Sequence, residues 1–103
     1  MAEAAIAAAI DRELEARHCY VVNITGTGVG RNGVPDRLVA HMGRFLAIEI
    51  KAPRGRVSKL QAWELERVAC AGGTAIVARS VEDVRAALDE IEAEVLGAER
   101  EAA

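Results

Sequence analysis

The segment Arg44 to Lys51 constrains this chain most. It reads as a strand in which Leu46, Ile48 and Ile50 face one way and Phe45, Ala47, Glu49 and Lys51 the other, because successive side chains on a strand point to opposite faces. An acid and a lysine therefore share one face of an otherwise apolar strand. Burying part of either charge is costly unless something compensates it, so the pair reads as more than surface decoration. Thirteen positions upstream, Gly33-Val34-Pro35-Asp36 introduces another short run with strand character. If that run pairs with Arg44–Lys51, Asp36 joins Glu49 and Lys51. Two carboxylates and an ammonium at one place suit a divalent metal and a phosphate: Mg²⁺ takes hard oxygen ligands and keeps several waters, so two carboxylates and a backbone carbonyl suffice. Taken singly, Asp36 also fits a turn residue after proline, and Glu49 with Lys51 a weak surface pair.

The rest of the chain is read around that strand. At 103 residues there is room for one core and one domain, 1–103. Ile6, Ile10 and Leu14 recur at four-residue spacing in an alanine-rich segment, predicting a helix over 3–17. Residues 19–24 have strand composition, 25–34 form a glycine-rich loop, and 36–41 a second strand that turns at Met42-Gly43 into the third. Ser58 begins a helix that Gly72-Gly73 stops. The run 74–78 suits a strand buried on both faces, and Ser80 with Asp83 forms a capping box for a last helix carrying the stripe Val81, Val84, Leu88, Ile91 and Val95. A frayed tail is expected from residue 97 on. The order is helix, three strands, helix, strand, helix: a mixed α/β domain with a central sheet flanked by helices.

Charge is unevenly placed. The net charge is −3, yet seven basic residues between Arg31 and Lys59 face only Asp36 and Glu49, so this stretch carries +5 and everything else −8. A basic centre in an acidic chain fits one face for a polyanion; solvated loop arginines are the plainer alternative. The only aromatics are Tyr20, Phe45 and Trp63, which weakens a base-stacking platform. Cys19 and Cys70 make no disulfide framework and fit reduced, buried thiols in a cytoplasmic protein. His18 and His41 lack metal-ligand spacing with them, arguing against zinc. No run approaches membrane-spanning length, and the N-terminus lacks a signal-peptide layout.

Two further motifs have competing readings. Gly28, Gly30 and Gly33 match G-x-G-x-x-G, but a dinucleotide fingerprint needs a helix to start there, and Pro35 pushes Val34 away from helical angles. A mobile loop bordering a site fits better. Ser58-x-x-Gln61 is a capping box; Gln61 also sits where a site residue would. Lys59, whose charge opposes the dipole at that helix start, favours a phosphate contact.

Gly33-x-Pro35-Asp36, then Glu49-Ile50-Lys51, then Ser58-x-x-Gln61, with Phe45 to Pro53 and Ala71-Gly72-Gly73 before a strand, resemble the PD-(D/E)xK nuclease superfamily and within it the VRR-NUC family in its stand-alone bacterial and phage form. The resemblance covers about residues 3 to 88. It implies a restriction-endonuclease-like core and Mg²⁺- or Mn²⁺-dependent phosphodiester hydrolysis. Asp36 and Glu49 would be metal ligands with the Ile50 carbonyl, Lys51 the catalytic lysine and Gln61 the active-site glutamine. The family's helical glutamate aligns with Glu3, and less well with Glu13. Stand-alone members resemble Holliday-junction resolvases and tend to be homodimers, which would place two sites on two strands of a four-way junction. The reading is a structure-selective DNA endonuclease of a bacterial or phage-infected cell, with Arg31, Arg37, Arg54, Arg56 and Lys59 on the DNA backbone. The rivals are a non-cleaving nucleic-acid-binding module of the same fold and a cofactor-binding α/β domain using the glycine loop.

Overall fold

The computed structural model describes residues 2–24 and 31–102; the glycines at 28 and 30 lie outside the described residues. The elements follow the expected order: α1 (Glu3–Ala16), β1 (Tyr20–Asn23), β2 (Arg37–His41), β3 (Arg44–Ile50), α2 (Lys59–Cys70), β4 (Thr74–Ala78) and α3 (Val81–Ala102). The sheet order is β1-β2-β3-β4. The first three strands form an antiparallel meander. β4 returns parallel to β3 after the α2 crossover, as a parallel neighbour requires.

The β2–β3 hairpin closes through Met42 and Gly43, at φ 51° and 78°, with His41 opposite Arg44. Two consecutive left-handed residues give a two-residue turn whose twist matches the strands it joins. The register that follows places Arg37 opposite Ile48, and one step further along the same ladder Asp36 stands opposite Glu49. This step matters for function: residues directly opposite on antiparallel strands share a face.

α1 and α3 cover one face of the sheet. Ile6, Ile10 and Leu14 of α1 and Val84, Leu88, Ile91 and Val95 of α3 bury against Val39, Leu46, Ile48 and Ile50, so the stripes read from periodicity are the core. α3 continues beyond Gly97, where a frayed tail was expected, to Ala102. Its acidic start also differs: Asp83 Oδ2 accepts from the Arg79 amide at 2.8 Å, one residue upstream of the Ser80 cap position expected for that box.

α2 lies on the opposite face, over β3 and β4. Ser58 caps it with both halves of the box formed. At its end Gly72 N–H donates to Ala69 O and Gly73 N–H to Val68 O, the paired bonds of a Schellman stop, with Gly72 at φ 96° supplying the left-handed residue. β4 is an edge strand with only Ala78 buried, not a strand buried on both faces: the sheet ends there, and α2 covers it incompletely. Cys70 is likewise exposed, and Cys19 only partly buried. Among the described residues no helix is long and apolar enough to cross a membrane.

Candidate active site

The site forms where β2 begins and β3 ends, under the first turn of α2. Pro35 is fully buried and anchors the entry to β2. The next residue, Asp36, is tied from two sides: its carbonyl accepts from Ile24 N–H at 3.0 Å, and its Oδ2 accepts from Ile50 N–H at 2.8 Å. The carboxylate thus replaces a ladder partner for β3 and is held rigidly against it.

Glu49 is 2% exposed. Its Oε2 accepts from Gln61 Nε2 at 3.0 Å and lies 3.5 Å from Lys51 Nζ. Its carboxyl is pushed up to about 7 by burial first and by the neighbouring Asp36 charge next, with Lys51 pulling the other way. Asp36 also hydrogen-bonds the Glu49 carboxyl, so the two acids meet at one point rather than splay apart. A carboxyl so raised holds its proton up to near neutral pH, and a cation bound there would displace it.

Gln61 makes the cap and a contact to Glu49 at once. Its Oε1 accepts from the Ser58 amide at 2.9 Å, while its own amide N–H donates to Ser58 Oγ at 3.1 Å. That leaves Nε2 turned to Glu49. The capping box fixes the side chain that holds the acid.

The donor set fits a hard divalent cation: two converging carboxylates and the Ile50 backbone between them, with no soft ligand. Glu3, Asp36 and Ile50 line one cleft of about 210 Å³ between α1 and the sheet end. Among the described residues no three His, Cys, Asp or Glu side chains gather closely enough to hold a metal, so Glu3 borders the cleft without completing a three-acid cage. Glu13 points elsewhere: it pairs with Arg17 and Arg85, both at 2.9 Å, and ties α1 to α3.

The five basic residues separate into three kinds. Arg37, read from the sequence as a DNA-backbone contact, is 4% exposed, makes a forked pair with Asp11 at 2.9 and 3.0 Å and donates to Asn23 Oδ1 at 2.9 Å. It faces the α1 side, because its register partner Ile48 does. Arg31 makes a forked pair with Glu64 at 2.6 and 3.0 Å while most of its side chain stays exposed. Arg54, Arg56 and Lys59 are exposed around the β3–α2 loop, beside the site.

Sequence reasoning missed three side chains. Arg79 Nη1 donates to the carbonyls of Ala52, Pro53 and Gly55 at 2.9, 3.3 and 2.7 Å, clamping the loop that follows Lys51. Glu64 is the only buried residue of α2, an acid where periodicity calls for an apolar residue. His41, set aside as a zinc ligand, bonds Glu92 Oε2 through Nε2 at 2.9 Å and meets Cys19 Sγ through Nδ1 at 3.4 Å. The partners of His41 lie 22 and 51 residues away, those of the Arg79 side chain 24 to 27, and the forked partner of Glu64, Arg31, 33, beyond any local pattern.

No protein-family model matches the chain, and no curated protein matches it. The structure is similar to a solved structure described as "VRR_NUC domain", with a TM-score of 0.70 and 25% identity over 84% of this chain and 94% of that one. The fold is an α/β nuclease-like fold, and the likeness supports membership of the VRR-NUC family that the motif order resembles.

Proposed function

We propose that this chain is a metal-dependent endodeoxyribonuclease that hydrolyses phosphodiester bonds in branched DNA, four-way junctions among them, as a homodimer. One observation carries the reading: Asp36 and Glu49 meet across the β2–β3 ladder, with Lys51 Nζ 3.5 Å and Gln61 Nε2 3.0 Å from Glu49 Oε2.

Asp36, Glu49 and the Ile50 carbonyl would hold Mg²⁺ or Mn²⁺, with Glu3 at the edge of the cleft. Such an ion lowers the pKa of a bound water and neutralises charge on a phosphoryl oxygen. The protein's own groups do the rest. Lys51 offers an ammonium to the phosphoryl oxygens, where a preplaced donor in a dry site counts most. Gln61 orients Glu49 through a side chain already immobilised by its cap. Arg79 holds the following loop, so Arg54, Arg56 and Lys59 present their charge to the phosphate backbone from a fixed position.

The test is a cleavage panel of labelled linear duplex, flap and four-way-junction DNA with Mg²⁺, with Mn²⁺ and with chelator. Metal-dependent products from the branched substrates are expected. Asp36→Asn, Glu49→Gln and Lys51→Ala should each lower cleavage about a hundredfold or more while binding persists. Binding without products under every metal condition assigns the chain to a non-cleaving module of this fold instead.

A further inference from the structure

The face that carries Glu49 and Lys51 continues along β3 to a second concavity. Phe45 lies four residues before Glu49 on the same face, about 13 Å away at the usual strand rise. A cleft of about 530 Å³ opens beside it, walled by Arg31, Arg44, Phe45, Arg67 and Gly73 and floored by Glu64. Pockets of this size accommodate a small ligand or a single nucleotide unit.

Its construction is specific. Phe45 is 43% exposed, yet seated: a Cβ at Gly73 would stand 2.9 Å from Phe45 Cδ2 and 3.0 Å from Val68 Cγ1. The glycine lets β4 and the end of α2 close directly onto one side of the ring, leaving another side to the cleft. Glu64 is buried and grips Arg31 by a fork, with Arg67 Nη1 at 3.7 Å. Arg67 is also stacked 4.6 Å from the Trp63 ring centroid. Two guanidinium groups are thus braced by one inward acid and left largely open to solvent, at 64% and 53% of their side-chain surface. Arg44 adds a third, exposed and without an ion pair among the described residues. Three arginines against one acid leave the cleft +2 in a chain whose net charge is −3. A half-exposed aromatic beside a positive wall is how a base and its phosphate are held without sequence readout. The carboxyl-terminal dipole of α2 ends at the Gly72-Gly73 rim and repels anions, so the phosphate belongs on the arginine wall and the base on Phe45.

We infer that this cleft is a subsite for an unpaired nucleotide of the DNA strand, held a few nucleotides from the cleavage point, with its base stacked on Phe45 and its phosphate on Arg31, Arg44 and Arg67. The inference rests on the nuclease reading for its substrate and narrows that substrate to DNA with a single-stranded or splayed segment beside the scissile bond. A base inside an intact duplex has both faces covered by its stacked neighbours and offers none to Phe45.

The test measures binding in chelator, so that nothing is cut, by fluorescence anisotropy with a labelled oligothymidine and with a fully paired hairpin. Arg44→Ala and Phe45→Leu should each weaken oligothymidine binding about tenfold and hairpin binding less than about twofold. Arg44→Ala removes only an exposed side chain and keeps the test readable if Phe45→Leu does not fold. Lys59→Ala should weaken both ligands alike. Equal loss for both ligands in the cleft variants, or no loss, overturns the inference. So does conversion of a dimer to a monomer by Phe45→Leu with oligothymidine binding retained, which would give the cleft to a second copy of the chain. A wild type that never cuts, with variants that selectively lose oligothymidine, overturns the nuclease reading and leaves the subsite. A wild type that cuts, with cleft variants that bind and cut like it, does the reverse.

Discussion

The two faces of the sheet are built from the same strands by opposite rules. On the α1–α3 side the core is aliphatic and sealed, and the buried polar side chains beside it are matched: Arg37 donates to Asp11, Asn23 and the Asp36 carbonyl, and His41 bonds Glu92. On the α2 side the helix buries only an acid, Glu64, and Phe45, Leu60 and Trp63 remain substantially exposed. Charges converge there with few neutral partners: Asp36 against Glu49, and two arginines on one glutamate with Arg44 on the same cleft. The first face supplies stability. The second keeps charge desolvated and apolar surface open, which a binding and reacting surface needs and a structural one avoids.

The sharpest way to break that contrast is truncation on each side. Leu88→Ala, fully buried under α1 and the sheet, should cost about 2–5 kcal/mol in urea unfolding through lost transfer energy and a residual cavity. Trp63→Ala, 51% exposed with Arg67 stacked on its ring, should cost about 1 kcal/mol or less. Comparable losses would mean that α2 is as much a core element as α3.

A second comparison separates two basic residues that sequence places together. Arg37→Ala should destabilise by about 1.5–3 kcal/mol, because a charged fork is lost and polar groups are left facing a buried gap, with no change in the salt dependence of DNA binding. Lys59→Ala should leave the unfolding midpoint where it is. It should reduce the slope of log affinity against log salt by about one.

On the α2 side Glu49 adds a pH dependence of its own. Glu49 is held at about 7 in the fold, against an ordinary 4.5. Between those values the native state keeps a proton that the unfolded chain has released, so stability falls as pH rises through that window. In chelator the melting temperature should therefore be higher at pH 5 than the wild type's other groups dictate and decline towards pH 8, and Glu49→Gln should flatten that part of the profile. Added Mg²⁺ should act in the opposite sense, stabilising more above pH 7, where the proton no longer competes.

Periodicity and turn chemistry made the architecture legible. Ile6, Ile10 and Leu14, the Val84–Val95 stripe, the Ser58 cap, the Gly72-Gly73 stop and the Met42-Gly43 turn each specify local geometry through interactions a few residues apart, and each appears in the fold where the chain pattern places it. The register of one tight hairpin also carries Asp36 to Glu49. What the chain's pattern did not disclose are the charges that answer one another across elements. Arg37 reads as a surface base and is a buried strut for Asp11. Glu64, which no sequence pattern marks, is the floor of a cleft. Arg79, equally unmarked, clamps a loop more than twenty positions away. A hydrophobic stripe announces its own face because burial repeats with the helix or strand period. An ion pair carries no period, so only the packing of α1, α2 and the sheet decided which arginines are structural and which remain free to meet a phosphate.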